Sequence, residues 1–280
     1  MTATVALTLR PTDDLREWAI AELADLGFDA FEEGADGALV AYAPAARWDD
    51  TAREHLAAWL DAHGLSPAEE HLHPPENWNA RWEATIQPRV AGSFLIAPTW
   101  ADVPEEHAHL TLLRIDPKMA FGTGYHPSTR LVLRLLPPLV PPGGRVLDVG
   151  TGTGILAIAA LRAGAAEALG VDIDPWAVVN GEENAHLNGV ADRFVVREGS
   201  LEAADEGPFG LVLANIIRAV LLPMLPALAA RLEPGGALVL AGLLQAERDE
   251  VCAALAAAGL TLHSEASEEE WWACAARRDA

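Results

Sequence analysis

Apolar residues recur with two different periods along this chain, and the switches between them outline its elements. Val5, Leu7 and Leu9 alternate with smaller or polar neighbours and predict a strand over 5–9. Leu15, Trp18, Ala19, Leu23 and Leu26 then follow helical spacing, with Asp13 or Asp14 as the cap and Gly27 as the stop. Residues 30–33 and 38–42 read as strands joined by a turn at 34–37. Asp49 or Asp50 caps a second helix over 51–63, ended by Gly64, and 68–72 reads as a last extended piece. The order β-α-β-β-α-β is that of a ferredoxin-like α+β domain. It carries no glycine-rich loop and no cluster of catalytic residue types, so a docking module is expected.

His73-Pro74-Pro75 marks a boundary. Residues 77–87 read as a short helix with Trp78 and Trp82 on one face. Pro88 ends it. The expected division is therefore 1–72, a linker at 73–90, and 91–280. In the last part, 94–97 and 109–115 are strand-like, and 116–125 is a loop reading DPKMAFGTGY. A helix starts at His126-Pro127-Ser128, and prolines and glycines at 137–144 turn the chain into a strand at 146–149. Strand and helix then alternate: strands at 168–173, 194–197, 211–214 and 237–241, helices from 155, 174–188, 219–232 and 246–258. The turn before 237 is Glu233-Pro234-Gly235-Gly236. Residues 260–264 and 271–275 close as an antiparallel pair. Such alternation predicts an α/β, Rossmann-like domain with a mostly parallel sheet.

Candidate chemistry gathers at the carboxyl ends of the expected strands, where open α/β sheets bind ligands. Asp148 to Gly154 reads DVGTGTG, a glycine turn between strand and helix in which Gly150 and Gly152 let backbone approach a ligand. Asp172, Ser200 and Asn215 end the next three strands and converge on the same crevice. Asp172 suits a ribose diol. The spacing G-x-G-x-G, with Ile155 where a dinucleotide fingerprint has its third glycine, counts against a nicotinamide dinucleotide and so against a dehydrogenase. Asp148 beside the turn disfavours a pyrophosphate and suits a cationic group, or it anchors the turn. A nucleoside with an amino-acid tail and a sulfonium, S-adenosyl-L-methionine, fits better. Phe121 and Gly122 lie in a loop that can close over the sulfonium, and Thr123 serves either that loop's turn or the cofactor. Asn215 supplies an amide that can accept from an incoming amine; Ser200 is a cofactor-side or simple loop residue.

Composition narrows the partners. The net charge is −22, and residues 1–66 hold four arginines against thirteen acidic residues, a balance of −9. Direct grip on nucleic acid needs the opposite sign, whereas a basic protein partner is compatible. Hydrophobic residues make up 51% of the chain, as in a packed globular protein, yet no apolar run has the length of a membrane span. The acidic first thirty residues are unlike a secretory signal, and the two cysteines, Cys252 and Cys274, sit in apolar patterns. A cytoplasmic monomer is expected. The pairs His71/His73 and His107/His109 lack an evident third ligand, so no metal is expected.

DVGTGTG with Asp172 resembles the first two motifs of class I S-adenosylmethionine-dependent methyltransferases. Together with MAFGTG-x-H-P-x-T at 119–129, ILAIAALRAGA at 155–165, GVDIDP at 170–175, AN-I at 214–216 and N-W-N-A-R-W at 77–82, it resembles the ribosomal protein L-eleven methyltransferase family, PrmA. The resemblance implies a seven-stranded class I methyltransferase domain behind a substrate-recognition domain. It also implies methylation of several amines, lysine side chains and the N-terminal amine included, on that ribosomal protein. It assigns cofactor contacts to Thr129, Gly150, Asp172 and Asn215. The family usually has Gly where Lys118 stands, and Tyr125 and Ser128 replace commoner residues, which leaves the role of Tyr125 open. A class I methyltransferase with another substrate is the alternative.

Overall fold

Two compact units make up the chain, Met1–Arg81 and Trp82–Ala280. The computed structural model describes residues 3–34, 37–74, 85–118 and 120–279. The expected helix over 77–87, with Trp78 and Trp82, falls mostly outside the described residues, as does part of the turn at 34–37.

The first unit runs β1 (Thr4–Leu9), α1 (Asp13–Asp25), β2 (Ala30–Glu33), β3 (Leu39–Pro44), α2 (Asp50–Ala62) and β4 (Glu69–His73). Its sheet has the order β2-β3-β1-β4 with every neighbouring pair antiparallel. This is the expected ferredoxin-like topology. The alternation seen in the sequence buries Val5, Leu7, Leu9, Leu39, Ala41 and Ala43 against Ala19 and Leu23 of α1 and Leu56 and Leu60 of α2. Asp49 caps α2, accepting from the Ala52 N–H at 2.9 Å. In α1 the cap position falls to Thr12, and Asp13 and Asp14 lie in the first turn. There their charges face the positive end of the helix.

The second unit begins with a small sheet of β5 (Arg89–Ala91), β6 (Phe94–Ala97) and β7 (Thr111–Arg114). The sequence pattern does not show β5, because three residues are too few for an alternation. The main sheet comprises β8 (Arg145–Val149), β9 (Glu167–Asp172), β10 (Phe194–Glu198), β11 (Phe209–Asn215), β12 (Leu232–Leu244), β13 (Leu260–Glu268) and β14 (Trp271–Arg278). Its order is β10-β9-β8-β11-β12-β14-β13; β14 is antiparallel to both its neighbours and the rest pair in parallel. Among the described residues of this unit the α-helices are α3 (Pro127–Leu135), α4 (Ile155–Arg162), α5 (Pro175–Leu187), α6 (Arg218–Ala230) and α7 (Arg248–Ala257).

Both faces of this sheet are covered, which explains the unbroken apolar runs of its strands. Val146, Leu211, Leu213 and Val239 pack with Ile155 to Leu161 of α4, while Leu147, Val149, Val212, Leu238 and Leu240 pack with Leu221, Leu225 and Leu228 of α6. The chain leaves β8 towards β9 on one side and returns beside β8 as β11 on the other. A crevice opens at such a reversal. Glu233 to Gly236, read as a turn before a strand, is instead an excursion within β12: Leu232 pairs with Phe209 and Ala237 with Leu211.

One buried polar feature ties the small sheet to the large one. Asn180, Asn184 and Asn188 stand one helical turn apart on α5 and its cap, and all three are buried. The Asn188 amide exchanges bonds with the backbone of Arg114, at 2.9 and 2.7 Å. Asn184 accepts from the Asp116 N–H at 3.0 Å and donates to the Thr153 carbonyl at 2.9 Å. Asn180 donates to the Asp116 carbonyl at 2.9 Å. Replacing Asn184 with Ala leaves the Asp116 N–H and the Thr153 carbonyl without this partner. We expect urea unfolding to show a loss of about 2–3 kcal/mol; a loss within error would remove the ladder from the account of the fold.

Candidate active site

Beyond the carboxyl ends of β8, β9 and β11 lies a cavity of about 620 Å³. Its floor is Val149, Gly150 and Gly152; Asp172, Ile173, Gly199 and Ser200 form one side, Asn215, Ile216, Ile217 and Val220 another. Phe121, His126, Ser128 and Trp271 complete the wall. The structure thus brings together Phe121, Gly150, Gly152, Asp172, Ser200 and Asn215 from the residues singled out in the sequence. Gly122, Thr123, Thr129 and Asp148 stand behind them and do not line the cavity.

The floor depends on backbone approach. Gly152 has φ of 55°, and a Cβ there would lie 2.3 Å from the Phe121 carbonyl oxygen. That oxygen accepts from the Thr153 N–H at 2.9 Å, and the Thr153 hydroxyl donates to the Gly122 carbonyl at 2.8 Å. The loop carrying Phe121 is thereby stitched to the glycine turn. The Gly152 N–H donates to Asp172 Oδ2 at 2.8 Å, and the Asp174 N–H to Oδ1 at 3.0 Å. Each carboxylate oxygen keeps a further lone pair for a ligand hydroxyl.

Asn215 donates from its amide nitrogen to Thr129 Oγ1 at 3.4 Å, and its Oδ1 is buried with no hydrogen-bond partner. Thr129 is itself fully buried and holds the Asn215 amide from behind. Thr123 accepts from the Tyr125 N–H at 3.3 Å and so serves the turn. Ser200 donates its N–H to Glu202 at 3.0 Å, which fixes the loop after β10. Lys118 adopts φ of 44°, a left-handed conformation in which glycine is the natural occupant, and its ammonium pairs with Glu183.

Asp148 lies wholly under the turn. Its Oδ2 accepts from the Thr151 hydroxyl at 2.7 Å and from the Ala157 N–H at 3.3 Å, while Oδ1 has no partner. Burial pushes its carboxyl up from 3.8 to about 7, partly opposed by those two bonds. Its hydrogen bonds are with the turn and the start of α4, and neither partner lines the cavity.

His126 and Trp271 are aromatic wall residues that the sequence reading did not assign to the site. His126 caps α3, its Nδ1 accepting from the Ser128 N–H at 3.3 Å. Its ring stands edge-on to Trp271 at 4.3 Å and 5.3 Å from Phe121. Burial, then the nearby Arg130 charge, lowers its pKa, so the imidazole is neutral near neutral pH. Trp271 faces this wall whereas Trp272, next on β14, is buried in the opposite core. The H-P-S helix start and the tryptophan pair were the available signals, but strand register had to be known to use them. Among the described residues, no group of three or more His, Cys, Asp or Glu is placed to hold a metal, and no helix is long and apolar enough to cross a membrane.

The model of the family described as "Ribosomal protein L11 methyltransferase (PrmA)" matches residues 17–279. The ribosomal protein L11 methyltransferase of Pelotomaculum thermopropionicum is 40% identical over 267 residues, covering 93% of this chain and 83% of that one. Its counterpart in Symbiobacterium thermophilum is 42% identical over 209 residues, covering 74% and 67%. The crystal structure of a ribosomal protein L11 methylase from Lactobacillus delbrueckii subsp. bulgaricus superposes with a TM-score of 0.63 at 31% identity, covering 70% of this chain and all of that one.

The position of Asp148 makes stability depend on pH. Its folded-state pKa is raised, so its contribution is fully present below about 3.8 and is lost as pH climbs through about 7. Asp148→Asn should flatten the fall in stability across that window, read by urea unfolding at a series of pH values. A slope identical to that of the unaltered protein would show that Asp148 ionises freely in the fold.

Proposed function

The chain belongs to the ribosomal protein L11 methyltransferase (PrmA) family, and from that premise we propose that it transfers methyl groups from S-adenosyl-L-methionine to amino groups of ribosomal protein L11, on lysine side chains and at the N-terminal amine. The observation that carries the reading is the buried, unpartnered Oδ1 of Asn215 on the wall of a cavity that also holds Asp172 and the glycine floor.

The residues present fit the cofactor. Gly150 and Gly152 carry no Cβ, which at 150 would meet the Ile216 side chain and at 152 the Phe121 carbonyl, so the floor's backbone can close against both. Asp172 keeps acceptor capacity for a ribose diol, and Phe121 offers a ring face to a sulfonium, an attraction of about 1 kcal/mol. Thr129 supports the site through Asn215. When bound, S-adenosyl-L-methionine supplies an electrophilic methyl group. The chain's part is then alignment and exclusion of water. Asn215 Oδ1 accepts from the N–H of a neutral amine and so directs its lone pair. A lysine ammonium, with an ordinary pKa of about 10.4, must first lose its proton, and we assign that to solvent. Apolar Ile216, Ile217 and Trp271 on the wall favour the neutral amine.

Residues 1–72 are the proposed recognition domain, 73–90 the linker and 91–280 the catalytic domain. The −9 balance of residues 1–66 supports docking of a basic protein. A cytoplasmic location and a monomer complete the reading.

Mass spectrometry of ribosomal protein L11 after incubation with the enzyme and labelled cofactor should show whole methyl groups on lysines and the N-terminal residue. Transfer only to other groups, or none, would refute the substrate assignment, and deletion of 1–66 should abolish transfer to this protein. Asn215→Ala should lower kcat about a hundredfold while leaving cofactor affinity nearly unchanged; equal losses in both would remove its orienting role. Asp172→Ala should weaken cofactor binding, measured by calorimetry, about tenfold to a hundredfold. Unchanged affinity would count against the whole pocket.

A further inference from the structure

Residues 120–126 carry Ala120, Phe121 and His126 on the cavity wall, and their backbone is held from three directions. The glycine turn holds Phe121 and Gly122 through Thr153. Arg130, paired with Glu268, donates to the carbonyls of Gly124 and Tyr125. The third hold is Tyr125, which lies outside the cavity lining. Its hydroxyl accepts from the Gln87 N–H and donates to the Gln87 carbonyl at 3.1 Å. The Arg89 guanidinium lies 4.8 Å from the centre of its ring. Gln87 and Arg89 belong to the first stretch of the second unit, which begins at Trp82.

This pairing is specific in its chemistry. A single atom, the phenol oxygen, satisfies both backbone groups of one residue, so it must donate and accept at once. A phenol has both and a phenyl ring has neither. Gln87 is exposed, so water could satisfy the same groups and burial does not force the contact. What the contact does is fix the wall segment to the start of the unit, one residue from His126 and four from Phe121.

We infer that Tyr125 is a positioning residue: a clasp that ties the wall segment 120–126 to Gln87, keeps Phe121 and His126 over the bound cofactor and slows its departure. The ligand's identity rests on the function proposed above; the clasp itself does not. Being neither a cofactor contact nor a floor residue, it acts on the reaction through the wall it holds.

The test uses the full chain with Tyr125→Phe, which removes only the hydroxyl and keeps the ring for Arg89. Amide hydrogen exchange at 120–126 without cofactor should accelerate about threefold to tenfold. Dissociation of S-adenosyl-L-methionine and its KM should rise by a similar factor, with kcat at saturating cofactor and the urea midpoint unchanged. Exchange and dissociation rates equal to those of the unaltered protein overturn the clasp. So does faster exchange spread over the whole unit with a lowered urea midpoint, because that marks a general structural role. Faster exchange confined to 120–126 in a protein that does not bind S-adenosyl-L-methionine supports the mechanical part and overturns the functional reading instead.

Discussion

The carboxyl end of the main sheet depends on one close approach, between the backbone at Gly152 and the carbonyl of Phe121. With a Cβ at 152 only 2.3 Å from that oxygen, no side chain fits, and the left-handed φ of 55° disfavours one in any case. Because the two backbones can meet, Thr153 holds the Phe121 loop and the Gly152 N–H reaches Asp172. The floor of the cavity, its acidic side and its aromatic wall are therefore one hydrogen-bonded construction. A glycine here is a condition for the site as much as for the turn.

Around that contact the fold buries polar groups that are costly unless paired. The asparagines of α5 answer this by taking backbone groups from β7, from the following loop and from the glycine turn. Asp148 is answered only in part, which is why its carboxyl holds its proton up to about pH 7. Among the described residues, Asn215 is the one on the cavity wall with a buried side-chain acceptor left unpaired. Asn184 and Asn188 close their side-chain hydrogen bonds within the chain, Asn180 leaves its Oδ1 unpaired away from the cavity lining, and Asn215 leaves its acceptor on the wall, where a ligand can take it.

Charge is distributed with the same division of labour. The first unit is strongly acidic and lacks a catalytic constellation, while the cavity is lined mainly by apolar groups with a few polar atoms. A polar, water-facing module can collect a basic protein by long-range attraction, whereas methyl transfer is favoured where water is excluded. On the function proposed above, separate units let one chain meet both conditions.

Local pattern determined a great deal here. The change from period two to helical period, the glycine turn, Asp172 at the end of β9 and Asn215 at the end of β11 were legible because each depends on neighbours within a few residues. The resemblance at 119–129 and 170–175 added Thr129, which no spacing rule singles out. Contacts between distant segments decided the rest. Only register places Trp271 at the cavity and Trp272 in the core, and only packing puts Asp148 and Thr129 behind the site. The Asn180, Asn184 and Asn188 spacing was visible, but its targets lie on a strand and a turn far away in the chain. Tyr125 meets Gln87 across 38 residues. Periodicity reports which face of an element is apolar; what that face meets is settled when the whole chain closes its core and pairs its buried polar groups.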